Sequence, residues 1–155
     1  MSKRVARTLR GLVTGLTSVM PSWRQSFTLA RLSEYLHQRH VVQTRHGPIV
    51  LICPTYYSVH YPRTFLTREP ETLEWIDGFA DGDVFWDVGA NVGIYTLYAG
   101  LRRTIDVVAF EPHGATYANM IDNINTNGMA DIVRAYPIAI AEGTALDMLA
   151  DIVAR

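Results

Sequence analysis

Two carboxylates stand at the ends of two apolar segments, and a glycine-rich turn lies between them. The first segment, residues 83–88, ends around Asp87 and runs into Gly89 and Gly93. The second, residues 105–110, is followed directly by Glu111. An apolar strand, a glycine turn, a helix and a second strand ending in an acid form one half of a nucleotide-binding α/β fold. The pattern therefore predicts a parallel sheet with a ligand site at the carboxyl ends of its strands.

The residue types of the turn indicate the chemistry of the ligand. Gly89 and Gly93 lack a Cβ, so the backbone can bend sharply and a ligand can approach it closely. The turn leads into a helix N-terminus, where free N–H groups and the helix dipole favour an anionic group. Asp87 suits an ammonium better than a phosphate, so the combination predicts a zwitterionic amino-acid moiety. Glu111 can accept hydrogen bonds from both hydroxyls of a ribose.

A nicotinamide dinucleotide is the competing ligand. Its G-x-G-x-x-G fingerprint needs glycine at positions 89, 91 and 94, and the sequence has Gly89, Asn91 and Ile94 there. The position of Glu111 fits either ligand and does not discriminate. Asn91 can cap the following helix and also contact a ligand. His113 lies where an adenine would pass.

Three segments together resemble the FkbM family of S-adenosylmethionine-dependent methyltransferases. They read R-E-P-E-T-L-E-W-I at 68–76, D-V-G-A-N-V-G-I-Y at 87–95 and A-F-E-P at 109–112. The resemblance covers roughly residues 40–149. It implies a class I methyltransferase fold, S-adenosylmethionine as the cofactor, and O-methylation of a sugar, glycan or other small-molecule hydroxyl. It also implies a pocket-lining role for Glu71.

The expected cofactor-binding residues therefore fall in three short stretches of the chain. They are Glu71, Asp87, Gly89, Asn91, Gly93, Glu111 and His113. The sequence assigns no catalytic residue. Its histidines show no metal-ligand spacing, so we expect no metal site.

Length limits what the resemblance implies for activity. Members of that family continue with a strand that carries a K-I-D-V-E-G-type motif, and these 155 residues contain no such segment. We therefore expect the first three strands of an incomplete Rossmann-like sheet and a chain that is inactive on its own. The alternative function is a non-catalytic fragment that at most binds the cofactor or a partner. The expected divisions are 1–39 (basic helices), 40–82 (hairpin and a helix) and 83–155 (partial cofactor domain).

Charge is divided unevenly along the chain. The net charge of −1 combines +9 over residues 1–68 with −10 over residues 69–155. Residues 3–20 have apolar residues at helical spacing and no acid, so we expect either a plain packing helix or a peripheral membrane contact through residues 1–20. A cytoplasmic, membrane-peripheral location, self-association and no nucleic-acid partner complete the expectations. The single Cys53 excludes an intramolecular disulfide.

Hydrophobic periodicity, glycine and proline set the expected elements. Helices are predicted over 3–20, 23–38, 70–78, 92–102 and 114–127, the last capped by Gly128. A hairpin is predicted over 40–45 and 49–53, and an aromatic-rich loop over 54–67. Parallel strands are predicted over 83–88, 105–110 and 132–136.

Overall fold

A computed structural model describes residues 2–140 of the chain. Residues 141–155, the end of the predicted 83–155 domain, lie outside the described residues. The chain forms two compact units, which we call the helical unit (through His37) and the α/β unit (from Gln38).

The helical unit consists of two helices, as the sequence predicts. Helix α1 spans Ser2–Thr17 and α2 spans Ser22–Tyr35, so each ends about a turn earlier than expected. Pro21 separates them, because proline has no N–H to continue a helix and its φ is already set for a helix start. In the part of the chain that the structure describes, no helix is long and apolar enough to cross a bilayer.

The α/β unit begins with the predicted hairpin. Strands β1 (Gln38–Thr44) and β2 (Gly47–Cys53) pair antiparallel, with Val41 opposite Val50. Gly47 lies in β2 with φ +127°, a conformation that favours glycine. The buried residues of β2 alternate, so one face of the hairpin joins the core.

Most of the segment between the hairpin and the sheet is helical, so the predicted loop over 54–67 holds over 54–57 and is wrong after the short 3-10 turn Ser58–His60. Helix α3 spans Tyr61–Arg68 and α4 spans Pro70–Asp77. Each has a proline in its first turn, where the missing N–H has no intrahelical partner to lose. Phe65 anchors α3 at 1% exposure, with its ring 5.8 and 5.9 Å from those of Tyr95 and Tyr98. Tertiary packing of aromatic residues therefore stabilises a helix that local periodicity does not reveal.

The central sheet has three parallel strands in the order β3-β4-β5. They span Val84–Val88, Asp106–Phe110 and Val133–Tyr136, each within a residue or two of its predicted bounds. Val88 pairs with Phe110, and Phe110 pairs with Tyr136, so the carboxyl ends of the strands lie side by side. This arrangement confirms the predicted Rossmann-like α/β class.

Two helices connect the strands. Helix α5 (Ile94–Gly100) follows β3 and α6 (Gly114–Thr126) follows β4. The predicted cap of α6 is confirmed, since Gly128 has φ +62° just past its end. Phe85 and Asp87 point to the buried side of β3, whereas Val84, Trp86 and Val88 are 45%, 58% and 57% exposed on the other side. An exposed apolar face of this kind would favour self-association, which stays a prediction.

Asparagines of α6 bind the free edge of the hairpin. Asn127 donates to the carbonyl of Val50 and accepts from its N–H, both at 2.8 Å. Asn123 accepts from the N–H of Ile52 at 2.8 Å, and Asn119 donates to the carbonyl of Ile52 at 3.0 Å. The amides occur every four residues and so share one helix face. They satisfy strand groups that would otherwise need a further strand, and they fix the hairpin on α6.

Candidate functional site

The site is built on the loop of residues 89–93, which we call the site loop, between β3 and α5. Gly89 and Gly93 both have φ +81°, and Asn91 has φ +54°. Left-handed backbone favours glycine, and asparagine tolerates it better than most residues. A Cβ on Gly93 would lie 2.7 Å from Cγ of Met120, a fully buried side chain of α6. The two glycines are therefore required by backbone conformation, and Gly93 also by the close approach of α6.

Most N–H groups of the site loop are already hydrogen-bonded within the protein. Those of Gly89 and Ala90 donate to the carbonyl of Phe110 at 2.9 and 3.0 Å. The N–H of Gly93 donates to the carbonyl of Ala90 at 2.8 Å, and that of Asn91 donates to the Glu111 carboxylate at 2.7 Å. The donors hold the loop against the end of β4 and leave little for an anion. The free N–H groups expected at the start of α5, the helix that follows, stay a prediction.

Asp87 lies on the buried side of β3 at 9% exposure. Its Oδ2 accepts a hydrogen bond from the Thr96 hydroxyl of α5 at 2.5 Å. Burial raises the pKa of Asp87, hydrogen bonds from the hydroxyl and backbone of Thr96 oppose that rise, and the charge of nearby Glu111 adds to it. Within residues 2–140 no cationic side chain forms an ion pair with Asp87, so this buried carboxylate can take a cationic group of a ligand as its partner.

Glu111 is as buried as Asp87, at 7% exposure, but its carboxylate is well supplied with donors. Oε2 accepts from the N–H of Asn91 at 2.7 Å. Oε1 accepts from the N–H of His113 at 2.8 Å and from the Thr116 hydroxyl at 2.9 Å. This single side chain thus connects the site loop to the start of α6.

His113 caps α6 rather than facing the cavity. Its Nδ1 accepts from the backbone N–H of Thr116 at 3.4 Å, and the residue is exposed. Such a cap satisfies one of the donors that every helix start leaves unpaired. Contact between His113 and an adenine stays a prediction.

A cavity of about 490 Å³ opens beside the site loop. Of the seven predicted residues, Asp87, Gly89 and Asn91 line it. Glu111, Gly93 and His113 are not among the lining residues, and Glu111 and Gly93 contact the loop that is. The remaining lining residues come largely from α3, α4, β3 and α5, and include Tyr61, Arg68, Glu69, Thr72, Trp75, Trp86 and Tyr95.

The start of α4 contributes Glu69 to the cavity rather than the predicted Glu71. Glu69 is the N-cap of α4, with φ −143° and ψ 68°, so its side chain leaves the helix direction. Its Oε2 accepts from the Tyr95 hydroxyl at 2.9 Å. Glu71 is in the first turn of α4, exposed and outside the cavity lining. The structure thus places Glu69, the cap position marked by Pro70, in this cavity, and cofactor contact by Glu71 stays a prediction.

Two tyrosines missed by sequence reasoning complete the wall. Tyr61 donates to Oδ1 of Asn91 at 3.2 Å and so steadies the centre of the site loop. Burial, with the hydrogen bond to Glu69, raises the pKa of Tyr95 to about 12. Tyr95 therefore stays protonated at neutral pH and acts as a hydrogen-bond donor. Tyr95 ends the 87–95 segment that carries the resemblance, whereas no signal in the sequence distinguishes Tyr61 from the other aromatic residues near it.

Among residues 2–140, no group of three or more His, Cys, Asp or Glu side chains is placed to hold a metal ion. Cys53 is buried, and burial raises the pKa of its thiol. Its Sγ lies 3.3 Å from the carbonyl of Ser58. A nucleophilic role is thus disfavoured, since the thiolate is the reactive form.

No protein-family profile matches the sequence, and no curated protein matches it either. Solved structures match in part. The chain is similar to P. horikoshii TYW2 in complex with MeSAdo, with 20% identity, a TM-score of 0.43, and coverage of 49% of this chain and 29% of that one.

Two further structures have comparable likeness. The C-terminal domain of precorrin-6Y C5,15-methyltransferase from Rhodobacter capsulatus has 26% identity and a TM-score of 0.38, over 53% of this chain and 42% of that one. Coclaurine N-methyltransferase bound to N-methylheliamine and SAH has 10% identity and a TM-score of 0.46, over 90% and 46%. This chain spans less than half of each of these structures. All three TM-scores lie below 0.5.

Proposed function

We propose that the α/β unit binds S-adenosylmethionine and serves a methyltransferase of the FkbM type that acts on a hydroxyl of a sugar, glycan or other small molecule. One observation carries the proposal. Two buried carboxylates, Asp87 and Glu111, end adjacent parallel strands and are joined through a loop that borders a cavity of about 490 Å³. Ligands of open α/β sheets bind at this end of the strands.

Asp87 supplies the part of the site that an amino-acid moiety needs. Its carboxylate is held at the cavity wall with a raised pKa, because burial disfavours its charged form. An ammonium placed beside it would favour the charged form and recover that lost free energy. A phosphate would add a second negative charge to the same place.

Glu111 has less capacity for a ribose than the sequence implies. A carboxylate offers about four acceptor positions, and three donors already point at this one. We therefore propose one ribose hydroxyl on Oε2 instead of two on the whole group. Its larger role is to fix the site loop against α6.

The site loop argues against a dinucleotide for a physical reason beyond the missing glycines. A pyrophosphate binds to unpaired N–H groups at a glycine-rich turn. Here the N–H groups of Gly89, Ala90, Asn91 and Gly93 are all bonded to protein oxygens. A cofactor with no phosphate suits this loop better, because these N–H groups are already hydrogen-bonded within the protein.

S-adenosylmethionine supplies an electrophilic methyl group when it is bound. The residues of this chain would hold its amino-acid and ribose portions at Asp87 and Glu111, which orients the methyl group for in-line attack. Glu69 faces the same cavity as a carboxylate held by the Tyr95 hydroxyl. A carboxylate in that place can accept a hydrogen bond or a proton from an acceptor hydroxyl. The choice of hydroxyl acceptors is supported by the motif resemblance and by no contact in the structure.

Calorimetry on the 155-residue chain tests the cofactor. We expect S-adenosylmethionine and its demethylated product to bind, and NAD not to bind. Glu71→Gln is the matched control, since Glu71 is exposed and outside the cavity, and it should bind like wild type. Preferential binding of NAD would overturn the proposal.

A radiolabelled transfer assay on a panel of sugars separates the two function classes, because binding without transfer favours the non-catalytic alternative.

A further inference from the structure

The helical unit presents an apolar stripe along α1. Val5, Leu9, Leu12 and Leu16 recur three or four residues apart, and each is more than half exposed. This spacing puts them on one side of the helix. Monomeric soluble proteins rarely expose contiguous apolar patches of this kind, which mark interaction sites.

Basic residues lie on the other side of the same helix. Lys3, Arg7 and Arg10 fall opposite the stripe at 3.6 residues per turn, and Arg4 falls beside them. The helical unit carries six Lys or Arg residues and a single acid, Glu34. A basic face opposite an apolar face is typical of helices that lie in a membrane interface.

The hydroxyl groups of α1 do not oppose such burial. Thr8 and Thr14 donate to the carbonyls of Arg4 and Arg10, at 3.1 and 2.9 Å. Thr17 likewise donates to the carbonyl of Val13 at 2.9 Å. These hydroxyl groups donate to carbonyls of their own helix, so they keep their hydrogen bonds when the helix enters an apolar phase.

Helix α2 adds aromatic anchors to the unit. Trp23 and Phe27 are 59% and 72% exposed, with ring centroids 6.4 Å apart in an edge-to-face arrangement. The Arg24 guanidinium lies 5.0 Å from the centre of the Trp23 ring. Tryptophan is enriched where one side of a residue is apolar and the other is wet.

From these observations we propose that the helical unit binds the surface of an anionic lipid bilayer. The apolar stripe of α1, with Trp23 and Phe27, enters the boundary between headgroups and acyl chains, and the basic residues face lipid phosphates and carboxylates. Apolar burial and electrostatic attraction act together in this mode of binding. The basic residues favour an anionic bilayer as the partner, because an apolar stripe alone would also fit a groove on another protein.

Vesicle sedimentation with the full chain tests this inference. We expect binding to phosphatidylcholine vesicles that contain phosphatidylserine, weaker binding as salt is raised, and little binding to phosphatidylcholine alone. The paired change Leu9→Gln and Leu12→Gln keeps the charge and should lower partitioning at least about tenfold. The change Gly11→Gln is the control, because it alters an exposed position on the basic side of the helix, away from the stripe, and should leave partitioning unchanged.

A charge variant separates lipid binding from protein association. Arg7→Gln with Arg10→Gln should weaken binding to anionic vesicles by roughly tenfold or more and leave the small binding to neutral vesicles as it is. Equal binding to neutral and anionic vesicles would overturn the inference. A second outcome is that the chain sediments without vesicles and stops doing so when Leu9→Gln and Leu12→Gln are introduced. That result would also overturn the inference, and would assign the stripe to a second protein chain. None of these readouts needs the cofactor.

Discussion

Asp87 and Glu111 end neighbouring strands of one sheet and are about equally buried, at 9% and 7% exposure, yet their surroundings differ. The Asp87 carboxylate has Thr96 as its hydrogen-bonding residue and borders the cavity. The Glu111 carboxylate accepts from Asn91, His113 and Thr116 and is not among the residues that line the cavity. Burial alone therefore does not show which acid binds a ligand. The number of internal donors separates the two acids, since a carboxylate with three donors has room for only about one more partner.

The largest effect should come from Glu111→Ala. The change removes the acceptor of the N–H groups of Asn91 and His113 and of the Thr116 hydroxyl, and each hydrogen bond to a charged group contributes about 1.5–3 kcal/mol. We expect the free energy of unfolding to fall by roughly 2–5 kcal/mol, measured by urea denaturation.

Asp106→Ala is the matched control on the same strand. Asp106 is 65% exposed in its side chain and pairs with Arg134 at 3.1 Å. Removing such an exposed pair should change stability by less than about 1 kcal/mol. If Glu111→Ala were as mild as this control, Glu111 would not hold the loop, and its contrast with Asp87 would disappear.

The second effect concerns the site loop that joins the two acids. Gly93→Ala places a methyl group 2.7 Å from Cγ of Met120 and requires a non-glycine residue at φ +81°. Left-handed strain of about 1–2 kcal/mol and overpacking of about 1–3 kcal/mol should together lower stability by roughly 2–5 kcal/mol.

Gly89→Ala separates the two causes. Gly89 has the same φ, and a Cβ there would meet no atom within 4 Å. It should therefore lose only the strain of about 1–2 kcal/mol. Equal losses for both variants would mean that Met120 moves aside freely and that α6 does not clamp the loop.

Chain order explains why the loop and both acids could be predicted from the sequence. Strand, glycine turn, helix and strand follow one another directly, and parallel pairing brings the ends of Val88 and Phe110 together. Helices α4 and α6 were also predicted, because Pro70 and Gly128 mark their ends. Local residue types and period determine these elements, so local reasoning reaches them.

Features that depend on distant partners were beyond the sequence. Helix α3 is stabilised by Phe65, which packs on α5, and no residue pattern within 61–68 predicts that contact. The spacing of Asn119, Asn123 and Asn127 was visible, but their partner strand β2 is about 70 residues away in the chain. Glu69 replaced Glu71 at the cavity because a cap residue has its own backbone direction.

The third effect is on ligand affinity, and it should fall on Asp87. Asp87→Asn keeps an acceptor for Thr96 and removes the charge that would pair with an ammonium. We expect affinity for S-adenosylmethionine to fall roughly tenfold to a hundredfold, by calorimetry, with stability changed by about 1 kcal/mol or less. Glu69→Gln is the comparison variant within the cavity. An unchanged affinity in a folded Asp87→Asn protein would mean that Asp87 is only a partner of Thr96.

The smallest effect is a pH dependence of stability that belongs to Asp87. Its folded-state pKa is raised by burial above the unfolded value of about 3.9. The stability that this group contributes is therefore fully present below the unfolded pKa and is lost as pH rises through the folded pKa. Urea denaturation from acid towards neutral pH should show Asp87→Asn gaining stability relative to wild type over that window. Bound S-adenosylmethionine should reduce the difference, because its ammonium favours the ionised carboxylate and affinity should rise with pH. A gap between the two proteins that does not change with pH, or that narrows as pH rises without ligand, would contradict the raised pKa and remove the electrostatic contrast with Glu111.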